Sequence, residues 1–164
     1  MTHVQRLLAI AALLPATLCF TPRIGHAQGL EPDPEGFLIA RPHDLRPPEG
    51  SRRINIIGDP SEPGLYVLQI TWAPGTGSRP HFHDQARYIQ VLKGTWWVST
   101  GAAADIYDPE KMVPVEAGTF IYEPPNGHHY DMAKDEEVIV QIWGMGPVAT
   151  TSIPQPEGPE ATRR

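Results

Sequence analysis

The chain has 164 residues with 13 basic and 19 acidic side chains, a formal net charge of −6 with its seven histidines neutral. That length suits one domain around a single core and is short for two. No basic cluster or aromatic-basic face is visible, which argues against nucleic acid as a partner, and the acidity reads as solubility.

Residues 1–27, "MTHVQRLLAIAALLPATLCFTPRIGHA", have the form of a signal peptide. Arg6 supplies a positive n-region, Leu7 to Phe20 form a 14-residue apolar stretch, and Gly25-His26-Ala27 offers small residues where a signal peptidase reads. The stretch is shorter than the roughly 20 residues a bilayer core requires, and Pro15 interrupts it. The expectation is cleavage after Ala27, a periplasmic or secreted mature protein, and no stable membrane insertion. Cys19, the sole cysteine, lies inside this segment, behind a Leu18 bulkier than lipoprotein attachment sites usually tolerate. The mature chain then has no disulfide and must rest on its core, with a metal or a partner subunit as candidate supports. Cleavage also removes Arg6 and Arg23 but no acid, leaving a formal charge of −8.

Residues 28–53 read as an extended, Pro-rich arm, with one short strand expected at Phe37–Ala40. From Ile54 the texture changes to short β-rich runs: "INIIG", "LYVLQITW", "YIQVLKG", "TWWVSTG", "MVPV", "TFIYE", "EVIVQIWG" and "VATTSI". Gly- and Pro-bearing turns separate them, a spacing that predicts an all-β sandwich or barrel over residues 54–152. Leu65–Trp72 and Val138–Trp143 carry apolar residues on both faces, which fits a closed or two-layer arrangement. Residues 153–164 have lost apolar side chains and are expected to form a disordered tail.

Four histidines fall in the domain as two pairs, His81/His83 and His128/His129. On extended chain, residues two apart share a face, about 6.5–7 Å apart, so His81 and His83 can converge on one point while Phe82 faces away. Neutral imidazole is a common ligand for zinc, iron, copper and nickel. Alone, two histidines at this spacing are a weak signal, and surface histidines are the plain alternative.

The surrounding frame adds weight. "GTGSRPHFHDQARYIQVLKG" places Gly75 six positions before His81 and closes on Gly94; "GTFIYEPPNGHHYDMA" then runs from Gly118 through Pro124 to His129. These blocks resemble the two motifs of the cupin superfamily, G-x5-H-x-H-x3,4-E-x6-G and G-x5-P-x-G-x2-H-x3-N, across about residues 55–147. The resemblance implies a single cupin-type jelly-roll β-barrel, all-β, preceded by the extended N-terminal arm. It also implies a divalent-metal site formed by His81, His83 and His129. Since neighbours on a strand face opposite ways, His129 is preferred to His128. Asn126 stands at the second motif's glycine and tolerates left-handed backbone, while Ala133 replaces its terminal asparagine.

The important departure is Arg87, which occupies the place of the first motif's glutamate. Arginine has no lone pair to donate to a metal, so the implied centre has three histidines. No acidic residue within the first motif, Asp84 included, simply stands in, and Gln90 and Glu123 are the weaker candidates for a fourth ligand. A cation beside the ion opposes metal binding and calls for an anion nearby. Asp84 or Glu123 would make a structural salt bridge with Arg87. Alternatively, a substrate carboxylate or enolate would be clamped by Arg87, giving it a catalytic role.

By the same resemblance, one functional reading is a metal-dependent oxygenase or dioxygenase acting on a small enolisable or carboxylate-bearing molecule. Iron is the natural ion, with zinc, manganese, nickel and copper open. The other readings are a non-catalytic module binding a small molecule or metal, and isomerase or lyase chemistry in the same pocket. A homodimer is also open, with the arm at residues 31–53 free to cross to a neighbour.

Overall fold

The computed structural model describes residues 30–156. The expected signal peptide, with Cys19 and the cleavage point after Ala27, lies outside the described residues, as does the end of the chain from residue 157.

Eleven strands make up the domain: β1 (Arg53–Ile57), β2 (Gly64–Trp72), β3 (Thr76–Gly77), β4 (His81–His83), β5 (Arg87–Lys93), β6 (Thr95–Thr100), β7 (Val113–Glu116), β8 (Phe120–Glu123), β9 (His129–Ala133), β10 (Val138–Gly146) and β11 (Thr150–Ser152). Among the described residues, helix occurs only as two 3-10 turns, Gly101–Ala104 and Pro109–Lys111. One sheet runs β1-β2-β10-β5-β8 and the other β11-β4-β9-β6-β7, with β3 also paired to β9. The fold is the expected all-β jelly roll.

Period-two patterning builds its interior. Tyr66, Leu68 and Trp72 on β2, Ile89 and Val91 on β5, and Val138, Val140 and Ile142 on β10 form one buried cluster with Trp96, Val98 and Ala133. The apolar residues on the opposite faces of the same strands are also accounted for. Tyr88 and Trp143 stack on the outside at 6.4 Å, and Tyr88 meets Tyr122 at 5.6 Å. On β5 and β10, two-faced patterning therefore reflects a core on one side and an aromatic surface cluster on the other.

Two turn positions are set by backbone geometry. Gly94, between β5 and β6, has φ of 76°, and a Cβ there would lie 2.5 Å from the Glu137 carbonyl oxygen. Asn126 has φ of 59°, the left-handed conformation expected of the residue replacing glycine in the second motif.

Three local expectations need correction. Phe37–Ala40 is not a strand: the Asp33 carboxylate accepts from the Phe37 N–H (2.8 Å) and the Phe37 carbonyl from the Asp33 N–H, closing a local turn at Phe37. Phe37 and Ile39 are left 67% and 69% exposed. Second, the β-rich runs omit β9, where strand alternation is assumed only for His128 and His129; Tyr130 is its one aromatic or β-branched residue, and burial in the barrel makes it a strand. Finally, Ile153 and Gln155, read as the start of the tail, are tied to the barrel. Ile153 donates to the Pro80 carbonyl, and the Gln155 side chain bonds both Tyr107 and Asp105. The arm is held at Leu45, whose carbonyl accepts from the Gln69 amide (3.0 Å).

Candidate metal centre

β4 carries His81 and His83 on one face, and β9 begins with His129, paired directly with His81 in the ladder. The ring centroids lie 4.9 Å apart for His81–His83, 4.2 Å for His81–His129 and 5.3 Å for His83–His129. One ring nitrogen from each falls within 4.8 Å of the others.

Each imidazole is oriented from behind. His81 Nδ1 lies 2.7 Å from the Arg79 carbonyl, His129 Nδ1 2.9 Å from the Gly127 carbonyl, and His83 Nδ1 2.9 Å from the Thr150 hydroxyl. A carbonyl only accepts, so Nδ1 of His81 and His129 carries the proton and Nε2 carries the lone pair. His83 Nε2 is buried with no hydrogen-bond partner. A buried, unpaired ring nitrogen is costly in a packed protein, and beside two further imidazole lone pairs it is placed to serve as a metal ligand.

Electrostatics keep the donors neutral. Burial lowers the pKa of all three histidines, to about 2 for His83 and about 4 for His129. Arg87's charge is the next cause for His83, whereas at His129 the Glu123 carboxylate partly opposes burial. The three residues fit a divalent ion, and they are the three expected. His128 points elsewhere: it pairs with Asp105 at 2.5 Å and stacks on Phe82.

Arg87 begins β5 and sits directly opposite Glu123, the last residue of β8. Its Nε donates to Glu123 Oε2 at 2.6 Å, with both side chains nearly buried. Of Asp84, Gln90 and Glu123, Glu123 alone reaches the centre, with Oε1 3.3 Å from His129 Nε2. Asp84 is used by the Ala149 N–H (2.8 Å), and the Gln90 amide donates to the Thr119 carbonyl (3.3 Å). Gln90 lies one step out of phase with the buried Ile89 and Val91, so it faces away from the interior.

The sequence reading overlooked Asp131, which is 5% exposed and lies two residues along β9 from His129. The same alternation that made a motif of His81 and His83 places Asp131 on the interior side. Burial raises its pKa to about 7, against the opposing pull of Arg87. Asp131 borders two cavities that meet the histidines. One, of about 380 Å³, is bounded by His81, His83, Arg87, Trp72 and Arg52; the other, of about 430 Å³, by Glu123, His129, Trp96 and Tyr122.

No family model matches the sequence, and no curated protein matches it. Solved structures do resemble it. A salicylate 1,2-dioxygenase from Pseudoaminobacter salicylatoxidans, in adducts with gentisate, superposes with a TM-score of 0.50 at 16% identity, over 63% of this chain and 29% of that one. A cupin-like protein from Thermotoga maritima gives 0.45 at 19% identity, over 55% and 66%. The polyketide cyclase RemF from Streptomyces resistomycificus gives 0.49 at 16%, over 69% and 79%. The fold is the cupin fold. This chain spans less than a third of the dioxygenase it resembles and just under two thirds of the Thermotoga cupin-like protein. At these identities the likeness concerns the barrel, and the cupin motifs read from the sequence fall where the barrel brings His81, His83 and His129 together.

Proposed function

We propose that this protein is an exported, metal-dependent dioxygenase acting on a small, enolisable, oxygen-rich organic molecule held inside the cupin barrel. The observation that carries the reading is the convergence of three neutral imidazoles, each tied back through Nδ1. His81, His83 and His129 would hold the ion, and iron is the ion assigned. A bound divalent ion would supply Lewis acidity toward substrate oxygens and, being redox-active, electron exchange with dioxygen. Both oxygen atoms enter the product in such a reaction, so no separate reductant is needed. The leader-like segment at residues 1–27 supports export.

The chain's own groups suit a small substrate. The cavities beside the histidines fall at the lower end of the volumes that hold small ligands. Because Arg87 is matched by Glu123, its charge is already used, which favours the salt bridge over the substrate clamp. Arg52 is the better partner for a negative substrate oxygen. It borders the same cavity as His81 and His83, its guanidinium lies 4.0 Å from the Trp72 ring centroid, and among the described residues it joins no ion pair.

The test is dioxygen uptake by the iron-loaded mature protein with 1,3-dicarbonyl compounds and ortho-hydroxylated aromatic acids. Uptake matching substrate consumed mole for mole, and lost in His81→Ala, is expected. A fully iron-loaded protein that binds such compounds without consuming dioxygen would instead be a non-catalytic binding module.

A further inference from the structure

We infer that Glu123 is a fourth protein ligand of the metal, supplied from β8 in place of the first motif's glutamate, and that Arg87 is the displaceable cation holding that carboxylate in the metal-free protein. This rests on the metal-site reading above and deepens it.

The argument begins at one lone pair. His129 Nδ1 donates to the Gly127 carbonyl, so its Nε2 is an acceptor. Two groups stand at 3.3 Å from that nitrogen: Glu123 Oε1 and Arg87 Nη2. A carboxylate oxygen and an imidazole lone pair with no proton between them repel unless a cation lies beside both. In the metal-free protein that cation is the guanidinium, which donates through Nη2 to the imidazole and through Nε to Glu123 Oε2 at 2.6 Å. Two donors bound to one ion at about 2.1 Å each stand about 3.0–3.4 Å apart. The spacing of Glu123 Oε1 and His129 Nε2 is therefore already that of two ligands on one centre.

The ladder explains how the carboxylate got there. Arg87 and Glu123 are register partners at the adjoining ends of β5 and β8. Exchanging acid and base across that pair moves the carboxylate one strand over and keeps it at the mouth of the three-histidine site. An incoming ion needs the lone pair that Arg87 Nη2 now uses, so that contact must break as metal enters, while Arg87 Nε keeps its bond to Glu123 Oε2. Metal affinity is consequently held down by Arg87 and held up by Glu123.

Cobalt(II) titration of the metal-free mature protein, followed by calorimetry and visible absorption, separates these roles. In Arg87→Gln, cobalt should bind at least about tenfold more tightly, since a competing cation is gone. The deciding comparison is Glu123→Gln made in that Arg87→Gln background, where no unpaired arginine confuses the result. A further loss of about ten- to a hundredfold and a changed ligand-field spectrum are expected. Equal affinity and an identical spectrum with and without Glu123 would overturn the inference. If Arg87→Gln does not fold, Arg87→Met carries the same comparison. Failure of the underlying site looks different: His81→Ala would then leave cobalt binding unchanged in every background.

Discussion

His81 and His129 are direct partners across the β4–β9 ladder, with ring centroids 4.2 Å apart. Forty-eight positions separate them along the chain, so their meeting depends on the whole barrel closing correctly. A site made this way couples metal binding to folding.

Adding metal should therefore raise the melting temperature of the parent. At an ion concentration a hundred times the dissociation constant, the linkage is worth about 2.7 kcal/mol. His81→Ala should melt within about 1 kcal/mol of the metal-free parent, its side chain being only partly buried, and should show no rise on adding metal. Thermal melts with and without a divalent ion check both halves of this.

Acid should destabilise the metal-free protein early. His83 and His129 titrate at about 2 and about 4 in the fold, below the 6.5 of an exposed imidazole. Between the folded and unfolded values the unfolded chain binds more protons, so stability falls as pH drops below about 6.5 and is level above it. A denaturant series from neutral pH down to about pH 4 measures the slope. His129→Gln should flatten it, and an unchanged slope would count against the buried, neutral histidines.

Asp131 should act in the opposite direction. Its folded pKa of about 7 exceeds the 3.8 of an exposed aspartate, so stability present at low pH is lost as pH rises toward 7. Asp131→Asn keeps the shape without the charge. It should stabilise the metal-free protein by a few kcal/mol near pH 8, with the gain vanishing below about pH 4. Chemical denaturation at those two pH values tests the sign.

Gly94→Ala should cost about 1–3 kcal/mol in backbone strain alone, with more from the clash at the Glu137 carbonyl. The melting temperature should fall by several degrees while the folded fraction still binds metal. Full retention of stability would mean that the turn adopts another conformation.

Much of this was legible beforehand because it rests on short-range rules. The period-two runs of β2, β5 and β10 declare a core face, and the glycine and asparagine turns declare left-handed backbone at Gly94 and Asn126. His81 and His83 share a face by simple alternation. The role of Glu123 was not legible to the same degree, because it depends on which residue of β8 stands beside Arg87. Register across strands is a tertiary property that no single stretch encodes. Asp131 shows the opposite case: its spacing from His129 was available, but β9 has only Tyr130 of the β-branched and aromatic residues that mark a strand.

The metal content of the protein, purified from its own host and measured by mass spectrometry, tests the central claim most directly. About one equivalent of a first-row divalent metal per chain is expected in the parent, and almost none in His81→Ala. A parent that carries no metal and takes none up on incubation would contradict the account.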